Sequence, residues 1–291
     1  MKKIMITGQS GFVSSTLSDY LKRNLDCSIE LVSVRDESWR KRDFSETDIV
    51  IHVAGMTTHD EKAHVYREYR EVNYELTRAI ALYAKESGVS YFIYFSTMAV
   101  YGGIQHINSR QSINKNTPLN PQTKYGKSKY EAEQFLCNLQ TELFKIAIIR
   151  APMIHGANAG GSFQKQWDLA VKLPVIPMYR NCRSAIYISN LCEFVKQLCE
   201  YEDCGIFMPQ NGEYLSTGGL ALMIQKYSGV RSIKTNLLNP IIFIAMFLIP
   251  RMRRIFGSEY YVMELSDYRD NSYRIYTMEE SVRQIAELKK G

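Results

Sequence analysis

The chain has 291 residues, of which 45% are apolar and 23% charged, the composition of a globular protein with a sizeable core. Its net charge of +6 is mild and spread along the sequence, and no lysine- and arginine-rich run is interleaved with aromatic residues, which argues against nucleic acid as a partner. The six cysteines have no CxxC pair or zinc-like spacing, and no apolar run reaches the roughly 18 residues that span a bilayer. We therefore expect a cytoplasmic protein with reduced thiols and no metal site.

Apolar runs alternate with helical patterns through the first half of the chain. The predicted strands are 3–7, 29–34, 48–53, 90–96 and 145–150, and the predicted helices are 11–24, 66–87 and 122–141. This alternation indicates βαβ units, so the sequence predicts an α/β fold with a doubly wound parallel sheet of the Rossmann type. Between residues 36 and 48 the chain is too short for the usual helix and strand, so we expect the sheet to lack an element there.

A glycine-containing turn, "TGQSGFVSS", lies between the first predicted strand and the first predicted helix. Glycine permits a tight turn and close backbone approach, and the following helix N-terminus stabilises a pyrophosphate. Ser14 takes the place of a third glycine, as a small residue that still allows close packing. The residues expected to bind a nucleotide here are Gly8, Ser10, Gly11, Phe12 and Val13.

The regular alternation ends after Arg150, where prolines separate shorter elements. We predict a dinucleotide-binding domain over 1–150 and a smaller substrate-binding lobe over 151–291. Residues 184–200 are expected to return a strand and a helix to the first domain.

Tyr125 and Lys129 lie four residues apart in "YGKSKYEAEQF" and therefore share one face of a predicted helix. Taken alone, this spacing is typical of an exposed helix whose lysine reaches into solvent. The rest of the motifs decide between that interpretation and a catalytic one. They are "HVAG" at 52–55, "EVNYELTRAI" at 71–80, "STMAVYG" at 96–102, "RAPMIHG" at 150–156 and "RSAIYISNLCEF" at 183–194.

In this order, and with the GxxGxx spacing of the first turn, these motifs resemble the extended short-chain dehydrogenase/reductases, specifically the NAD-dependent nucleotide-sugar epimerase/dehydratase group that includes the UDP-glucose 4-epimerases. The resemblance is good over roughly 1–200 and looser beyond. It implies that Tyr125 and Lys129 form a catalytic pair, in which the lysine ammonium lowers the pKa of the phenol. It also implies that Lys129 binds the nicotinamide ribose.

The resemblance assigns Thr97 to holding the reacting sugar oxygen, with the adjacent Ser96 as second choice and a strand-end threonine without function as the alternative. Dehydratases of this group carry Asp-Glu at the next two positions, where this chain has Met98 and Ala99. Those side chains cannot exchange protons, which leaves oxidation and reduction at one carbon.

Other family positions imply contacts with the cofactor. Ala54 and Gly55 are expected to border it, and Asp43 and Phe44 to contact adenine. Asn73 is expected to line its crevice and to fix nearby backbone, with an asparagine that is merely hydrogen-bonded within its helix as the alternative. His52 is expected to be packed in a strand rather than catalytic. These assignments rest on the resemblance.

The choice between NAD and NADP is open in the sequence. An acidic residue after the second strand favours NAD, whereas an arginine there favours a 2′-phosphate. The segment "VSVRD" offers both Arg35 and Asp36. We expect NAD, with NADP as the alternative.

In the second lobe, Arg183 matches an arginine that pairs with the substrate diphosphate in relatives, and a surface arginine on a strand is the alternative. Asn158 lies in "GANAGGSF", a polar loop expected to close over the substrate. Residues 240–256 contain nine consecutive apolar residues followed by Arg251, Arg253 and Arg254. They are interpreted as a buried helix of the second lobe or, alternatively, as a peripheral membrane contact.

The family resemblance implies an NAD-dependent epimerase of a nucleotide-linked hexose, a UDP-sugar 4-epimerase, that works through a 4-keto sugar in surface polysaccharide synthesis. The alternatives are an NADPH-dependent ketosugar reductase and a dinucleotide-binding sensor without catalysis. A homodimer through helices 66–87 and 122–141 is also expected.

Overall fold

The computed structural model describes residues 1–57, 65–103 and 111–290, without the side chains of Gln111, Pro250 and Arg251. The strands in these ranges are β1 (Lys2–Thr7), β2 (Cys27–Val32), β3 (Ile49–His52), β4 (Tyr91–Thr97), β5 (Gln111–Ile113), β6 (Lys145–Ala151), β7 (Met153–His155), β8 (Val175–Pro177), β9 (Ala185–Tyr187), β10 (Gly205–Phe207), β11 (Ile233–Thr235) and β12 (Glu259–Tyr261).

The α-helices of the same ranges follow in chain order. They are α1 (Phe12–Asn24), α2 (Tyr66–Arg70), α3 (Leu76–Glu86), α4 (Lys124–Leu139), α5 (Gly161–Ala170), α6 (Ile188–Tyr201), α7 (Thr217–Ser228), α8 (Asn239–Leu248), α9 (Pro250–Phe256) and α10 (Met278–Leu288). A π-helical segment, Glu71–Glu75, joins α2 to α3, so the helix predicted over 66–87 is nearly continuous.

The central sheet has six parallel strands in the order β10-β6-β4-β3-β1-β2. The chain starts at β1, adds β2 on one side and then crosses to place β3 on the other. The crevice beyond the ends of β1 and β3 is therefore the switch point at which such sheets bind ligands. This architecture confirms the α/β fold with a doubly wound parallel sheet.

The burial of the strands explains why their apolar runs could be recognised in the sequence. Every residue of β3 is buried, and so are the first six residues of β4, as expected for parallel strands covered on both faces. A short 3₁₀ helix, Glu37–Lys41, takes the place of the usual helix and strand after β2. Its Trp39 and the nearby Phe44 pack edge-on against Tyr83 of α3, at ring distances of 5.9 and 4.9 Å.

The chain divides into two compact units. The first consists of residues 1–102, 118–151 and 191–209, and the second of 103–117, 152–190 and 210–291. The strand β9, in the segment predicted to return to the first domain, pairs with β7 instead, and the sixth strand of the central sheet is β10. From Leu191 onward α6 does belong to the first unit.

In the second unit, α8 departs from the buried helix that the sequence favoured. Only Ile242 and Met246 are buried, while large apolar side chains such as Ile244 and Leu248 are exposed. The following α9 is attached through Arg253, whose guanidinium donates to the carbonyl oxygens of Met246 (2.7 Å) and Phe247 (3.2 Å). Within the described ranges, no helix has the length and apolar character to cross a membrane.

Candidate active site

The glycine turn after β1 has the backbone geometry that a dinucleotide needs. Gly8 has φ +94°, a conformation that L side chains rarely adopt, and its amide donates to the Val32 carbonyl at 2.9 Å. The Ser14 hydroxyl donates to the carbonyl oxygens of Gly8 and Gly11 and so closes the turn in place of a third glycine. Among the described residues, no side chain caps the N-terminus of α1, so no side chain competes there with the phosphate of a bound nucleotide.

The loop after β3 lies directly beside this turn. A Cβ atom on Gly8 would be 3.5 Å from the backbone of Ala54. The Thr7 hydroxyl accepts hydrogen bonds from the amides of Val53 and Ala54, both at 3.2 Å, and lies 2.8 Å from Nδ1 of His52. Burial lowers the pKa of His52 to about 3, so this histidine is a neutral packing residue, as its position in a strand indicated.

Gly55 leaves room for two polar groups of the site. A Cβ atom there would lie 2.9 Å from Oδ1 of Asn73 and 3.1 Å from Nζ of Lys129. Asn73 sits in the π-helical segment and is fully buried. Its amide binds both backbone groups of Met56 and donates to the Ser128 hydroxyl at 3.0 Å. Asn73 therefore fixes the loop after β3 to α4, in line with the expected fixing of nearby backbone.

Lys129 is held at the end of β4. Its Nζ donates to the Phe95 carbonyl at 2.8 Å and lies 4.7 Å from the centre of the Tyr94 ring. Burial lowers the pKa of the Lys129 amine from its ordinary 10.5 to about 7, while Glu133 opposes the shift. Near neutral pH this lysine can therefore exchange its proton.

Thr97 and Tyr125 meet where β4 ends and α4 begins. The Thr97 side chain caps a short 3₁₀ helix, Met98–Tyr101, by accepting from the Ala99 amide at 3.2 Å, and it lies close enough to the Tyr125 phenol to lower the pKa of that group. Gly126 permits this approach, because a Cβ atom there would lie 2.7 Å from the Ala99 carbonyl oxygen. The Ser96 hydroxyl, the second choice from sequence, instead donates to Glu133.

The pKa of Tyr125 moves against the expectation from sequence. Burial raises the pKa of the phenol, and the hydrogen bond to Thr97 only partly opposes that change. Removal from water disfavours the phenolate just as it disfavours the ammonium of Lys129. The chain alone therefore keeps Tyr125 protonated near neutral pH.

A buried ion pair ties these parts together and was missed by the sequence interpretation. Arg150 on β6 binds the Glu133 carboxylate through Nη2 at 2.7 Å and Nε at 3.1 Å, and donates to the Tyr101 hydroxyl at 2.8 Å. Glu133 lies four residues after Lys129 on α4 and also accepts from Ser96. Two features of the sequence could have revealed this pair. Glu133 shares the helix face of Tyr125 and Lys129, and Arg150 is an arginine within an otherwise apolar strand.

The two residues after β2 differ in what they face. Arg35 donates through Nη2 to the Ser10 hydroxyl of the glycine turn at 3.1 Å. The Asp36 carboxylate instead accepts from the Ser38 hydroxyl and from the Ser38 amide, which lowers its pKa and caps the 3₁₀ helix. Arg35 is thus the one of the pair that reaches the turn.

Asp43 and Phe44 also differ in their surroundings. Asp43 is exposed and accepts from the Ser45 amide at 2.8 Å. The Phe44 side chain is buried in the core and has no surface to offer an adenine ring, which corrects that expectation for its side chain.

Asn158 and Arg183 belong to the second unit. Asn158 is exposed in the loop before α5. Arg183 donates to the Arg254 and Ile255 carbonyl oxygens at the end of α9, and burial lowers its pKa while Glu259 opposes the shift. The guanidinium is therefore already engaged within its own unit.

The first unit as a whole fits a nicotinamide dinucleotide. The positive φ of Gly8 forms the tight turn after β1, the start of α1 carries no side-chain cap, and Gly55 lets Lys129 approach the loop after β3. Gly8, Ser10, Gly11, Phe12 and Val13 would hold its pyrophosphate at the start of α1.

Comparisons with known proteins agree with this geometry. Residues 4–169 match the NAD dependent epimerase/dehydratase family. The UDP-glucose 4-epimerase of Vibrio cholerae is 28% identical over 240 residues, which cover 74% of this chain and 73% of that protein. A 4-epimerase of Escherichia coli O157:H7 that acts on N-acetyl-α-D-glucosaminyl-diphospho-undecaprenol is 28% identical over 211 residues, or 66% of this chain and 62% of that protein.

The solved structure of UDP-glucose 4-epimerase from Thermotoga maritima has the same fold, with a TM-score of 0.74 at 17% identity over 99% of this chain and 98% of that one. Fold and glycine turn thus define a nicotinamide-dependent α/β protein of the extended short-chain dehydrogenase/reductase type. The chain belongs to the NAD-dependent epimerase/dehydratase family, which confirms the resemblance and the expected cofactor.

The buried pair predicts a specific loss of stability. In a Glu133→Gln variant, Arg150 keeps its charge without a compensating carboxylate, so the free energy of unfolding should fall by about 3 kcal/mol. Urea denaturation measures it. The control is Glu71→Gln, which breaks an exposed pair with Arg67 and should cost less than about 1 kcal/mol. Equal losses in the two variants would show that the buried pair does not hold the site together.

The lowered pKa of Lys129 predicts how stability changes with pH. Between about 7 and its ordinary 10.5, the unfolded chain holds a proton that the folded chain has released, so the free energy of unfolding rises with pH. From pH 7.5 to 9, the free energy of unfolding of the wild type should rise by about 1–2 kcal/mol relative to that of a Lys129→Met variant. Urea denaturation at each pH measures it, with Lys127→Met, an exposed position on α4, as control. A difference that stays constant with pH would contradict the burial of an ionisable amine.

Proposed function

We propose that the protein is an NAD-dependent epimerase of a nucleotide-linked hexose and that it inverts C4 of a UDP-sugar through a 4-keto intermediate. The observation that carries the proposal is the buried Lys129, which donates to the Phe95 carbonyl beside Gly55 and lies one helical turn from Tyr125, with Thr97 close to the phenol. A sensor without catalysis has no need for this arrangement, which argues against that alternative.

Each catalytic residue has one task. Tyr125 takes the proton of the C4 hydroxyl onto its phenolate oxygen as the carbon is oxidised, and returns that proton when the ketone is reduced. Thr97 hydrogen-bonds the reacting oxygen and keeps it against the phenol. NAD, when bound, would supply the hydride acceptor for the oxidation at C4 and the hydride donor for reduction of the opposite face of the turned sugar.

Charge decides when Tyr125 can act as a base. Because burial raises the pKa of this phenol, the phenolate forms only beside positive charge. The amine of Lys129, with its pKa near 7, supplies such charge in its protonated form and can also pass a proton on. The raised pKa of Tyr125 suits the second half of the cycle, in which the phenol donates to the ketone.

The reaction subtype follows from what stands after Thr97. Elimination of water from a sugar needs a further acid and base, whereas Met98 is apolar and buried and Ala99 has no titratable group. This supports exchange of hydrogen at one carbon over dehydration. Arg183 and Asn158 are proposed to contact the substrate, although Arg183 would first have to release the carbonyl oxygens at the end of α9.

The carrier of the sugar is proposed to be a nucleoside diphosphate, as in the name of the V. cholerae relative. A sugar joined through diphosphate to a polyprenol, as in the name of the E. coli relative, is the second candidate. The exposed apolar side chains of α8 favour it, since they provide a surface for a lipid-linked substrate. Either carrier is consistent with a role in surface polysaccharide synthesis.

A ketosugar reductase that consumes NADPH is the second candidate reaction. It is favoured by Arg35, whose guanidinium reaches the glycine turn while Asp36 is engaged elsewhere. An arginine at this place accommodates a 2′-phosphate.

We also propose a homodimer formed through the helices α2–α3 and α4. A depression of about 430 Å³ between them is lined by Arg70, Tyr74, Glu131, Gln134, Phe135 and Asn138. The six cysteines are free thiols, which supports a cytoplasmic location.

The cofactor distinguishes the epimerase from the reductase. An epimerase should copurify with tightly held NAD, visible by mass spectrometry of the denatured protein, and should turn over without added cofactor. An Arg35→Ala variant should then bind NAD within about threefold of the wild type, because adenosine without a 2′-phosphate makes no ion pair there. Stoichiometric consumption of added NADPH, lost in the variant, would establish the reductase.

The catalytic assignment predicts a specific loss of turnover. A Tyr125→Phe variant should keep its bound NAD but lose about 10²–10⁴-fold in kcat, because the proton of the sugar hydroxyl has no acceptor. NMR of UDP-sugars, dTDP-sugars and a polyprenyl-diphosphate sugar in micelles follows the epimerisation. Tyr130→Phe, which removes a hydroxyl that accepts from Gln134 on the same helix, is the matched control and should retain activity. Near-wild-type turnover in Tyr125→Phe would refute the mechanism.

A further inference from the structure

We propose that residues 231–256 form a docking surface for an anionic lipid bilayer. This surface comprises β11, α8 and α9 of the second unit. The inference does not depend on the reaction that the first unit catalyses. It rests on the apolar side chains that the surface exposes, on the sign of its charge and on its length.

The apolar part of the surface is α8. No residue from Pro240 to Leu248 is polar, yet only Ile242 and Met246, one helical turn apart, are buried. The remaining large side chains face outward, with Ile244 58% and Leu248 76% exposed. A helix that is apolar on every side is normally enclosed by protein or lipid, and exposed patches of this kind mark interaction surfaces.

The charge of the protein is concentrated in the same region, contrary to the even spread that the sequence suggested. Residues 214–258 contain six basic and no acidic residues, so this segment accounts for the whole net charge of +6. Lys226 pairs with Glu279, and Arg253 is engaged with α8. Arg231 and Lys234 are exposed, and the described residues include no acidic partner within ion-pair distance of either.

Charge also distinguishes a bilayer from a second copy of the chain. A symmetric pair of these surfaces would place basic residues against basic residues, because no acidic side chain lies in the segment to oppose them. Anionic phospholipid headgroups provide the missing negative charge, while the acyl region accepts Ile244 and Leu248. An anionic membrane is therefore the occupant that satisfies both parts of the surface.

Length fixes the mode of contact. The ten residues of α8 extend about 15 Å, half the thickness of the hydrocarbon core, so the helix would lie in the interface rather than cross it. Arg231 and Lys234 precede this helix and Arg254 follows it, so basic side chains can reach headgroups at both of its ends.

Flotation of the full-length protein with vesicles tests the proposal. We expect binding to vesicles of phosphatidylcholine and phosphatidylglycerol in equal parts at low salt, weaker binding at high salt and little binding to phosphatidylcholine alone. Arg231→Glu/Lys234→Glu should reduce binding about tenfold or more. Ile244→Ser/Leu248→Ser should do the same by removing apolar contact.

Matched control variants distinguish binding through this surface from non-specific binding to vesicles. Lys22→Glu/Lys165→Glu changes the same charge elsewhere, and Leu143→Ser/Leu288→Ser removes side chains that are 87% and 68% exposed. Both should bind like the wild type, and circular dichroism should show all variants folded. Absence of vesicle binding, or equal loss in controls and test variants, would overturn the proposal. The proposal would also be overturned if the protein did not bind vesicles and light scattering showed an oligomer that dissociates in Ile244→Ser/Leu248→Ser. The surface would then be an interface between copies of the chain.

Discussion

An ammonium group removed from water needs a fixed partner, and in this protein that partner is the Phe95 carbonyl at the end of β4. The contact sets the distance between α4 and the strand, and therefore the place of Tyr125 relative to Thr97. Glycine is required at positions 55 and 126, because a Cβ atom on Gly55 would collide with Lys129 and one on Gly126 with the backbone after β4. The lowered pKa of Lys129 is the electrostatic consequence of the same burial.

The polar groups beneath the site form a second layer that keeps it rigid. Asn73 ties the loop after β3 to α4, and the pair of Glu133 and Arg150 joins α4 to β6. Buried charges and amides of this kind are costly unless every partner is present, which makes the arrangement specific. The candidate site is thus supported by buried polar groups on the π-helical segment, on α4 and on β6.

The two units divide the proposed tasks. The first contains the glycine turn and the residues proposed to exchange the proton, whereas the second contains Arg183 and the exposed helix α8. In the second unit the sequence interpretation was weakest. Nine apolar residues in a row indicated burial, and the structure instead leaves most of them at the surface beside basic residues. Composition alone cannot distinguish a helix buried in the core from an apolar helix that the fold leaves exposed.

The sequence by itself determined five of the six strands of the sheet, its first helix and the positions of Gly8, Thr97, Tyr125 and Lys129 on these elements. Periodicity and ordered motifs are local and can be recognised without knowledge of tertiary contacts. Only the tertiary structure showed that the Phe44 side chain is in the core, that Asp36 caps a helix while Arg35 faces the turn, and that β10 rather than β9 completes the sheet. The direction of the Tyr125 pKa shift was also decided there. Each of these depends on which distant groups surround a residue and how much water they exclude, and no local pattern in a chain records that.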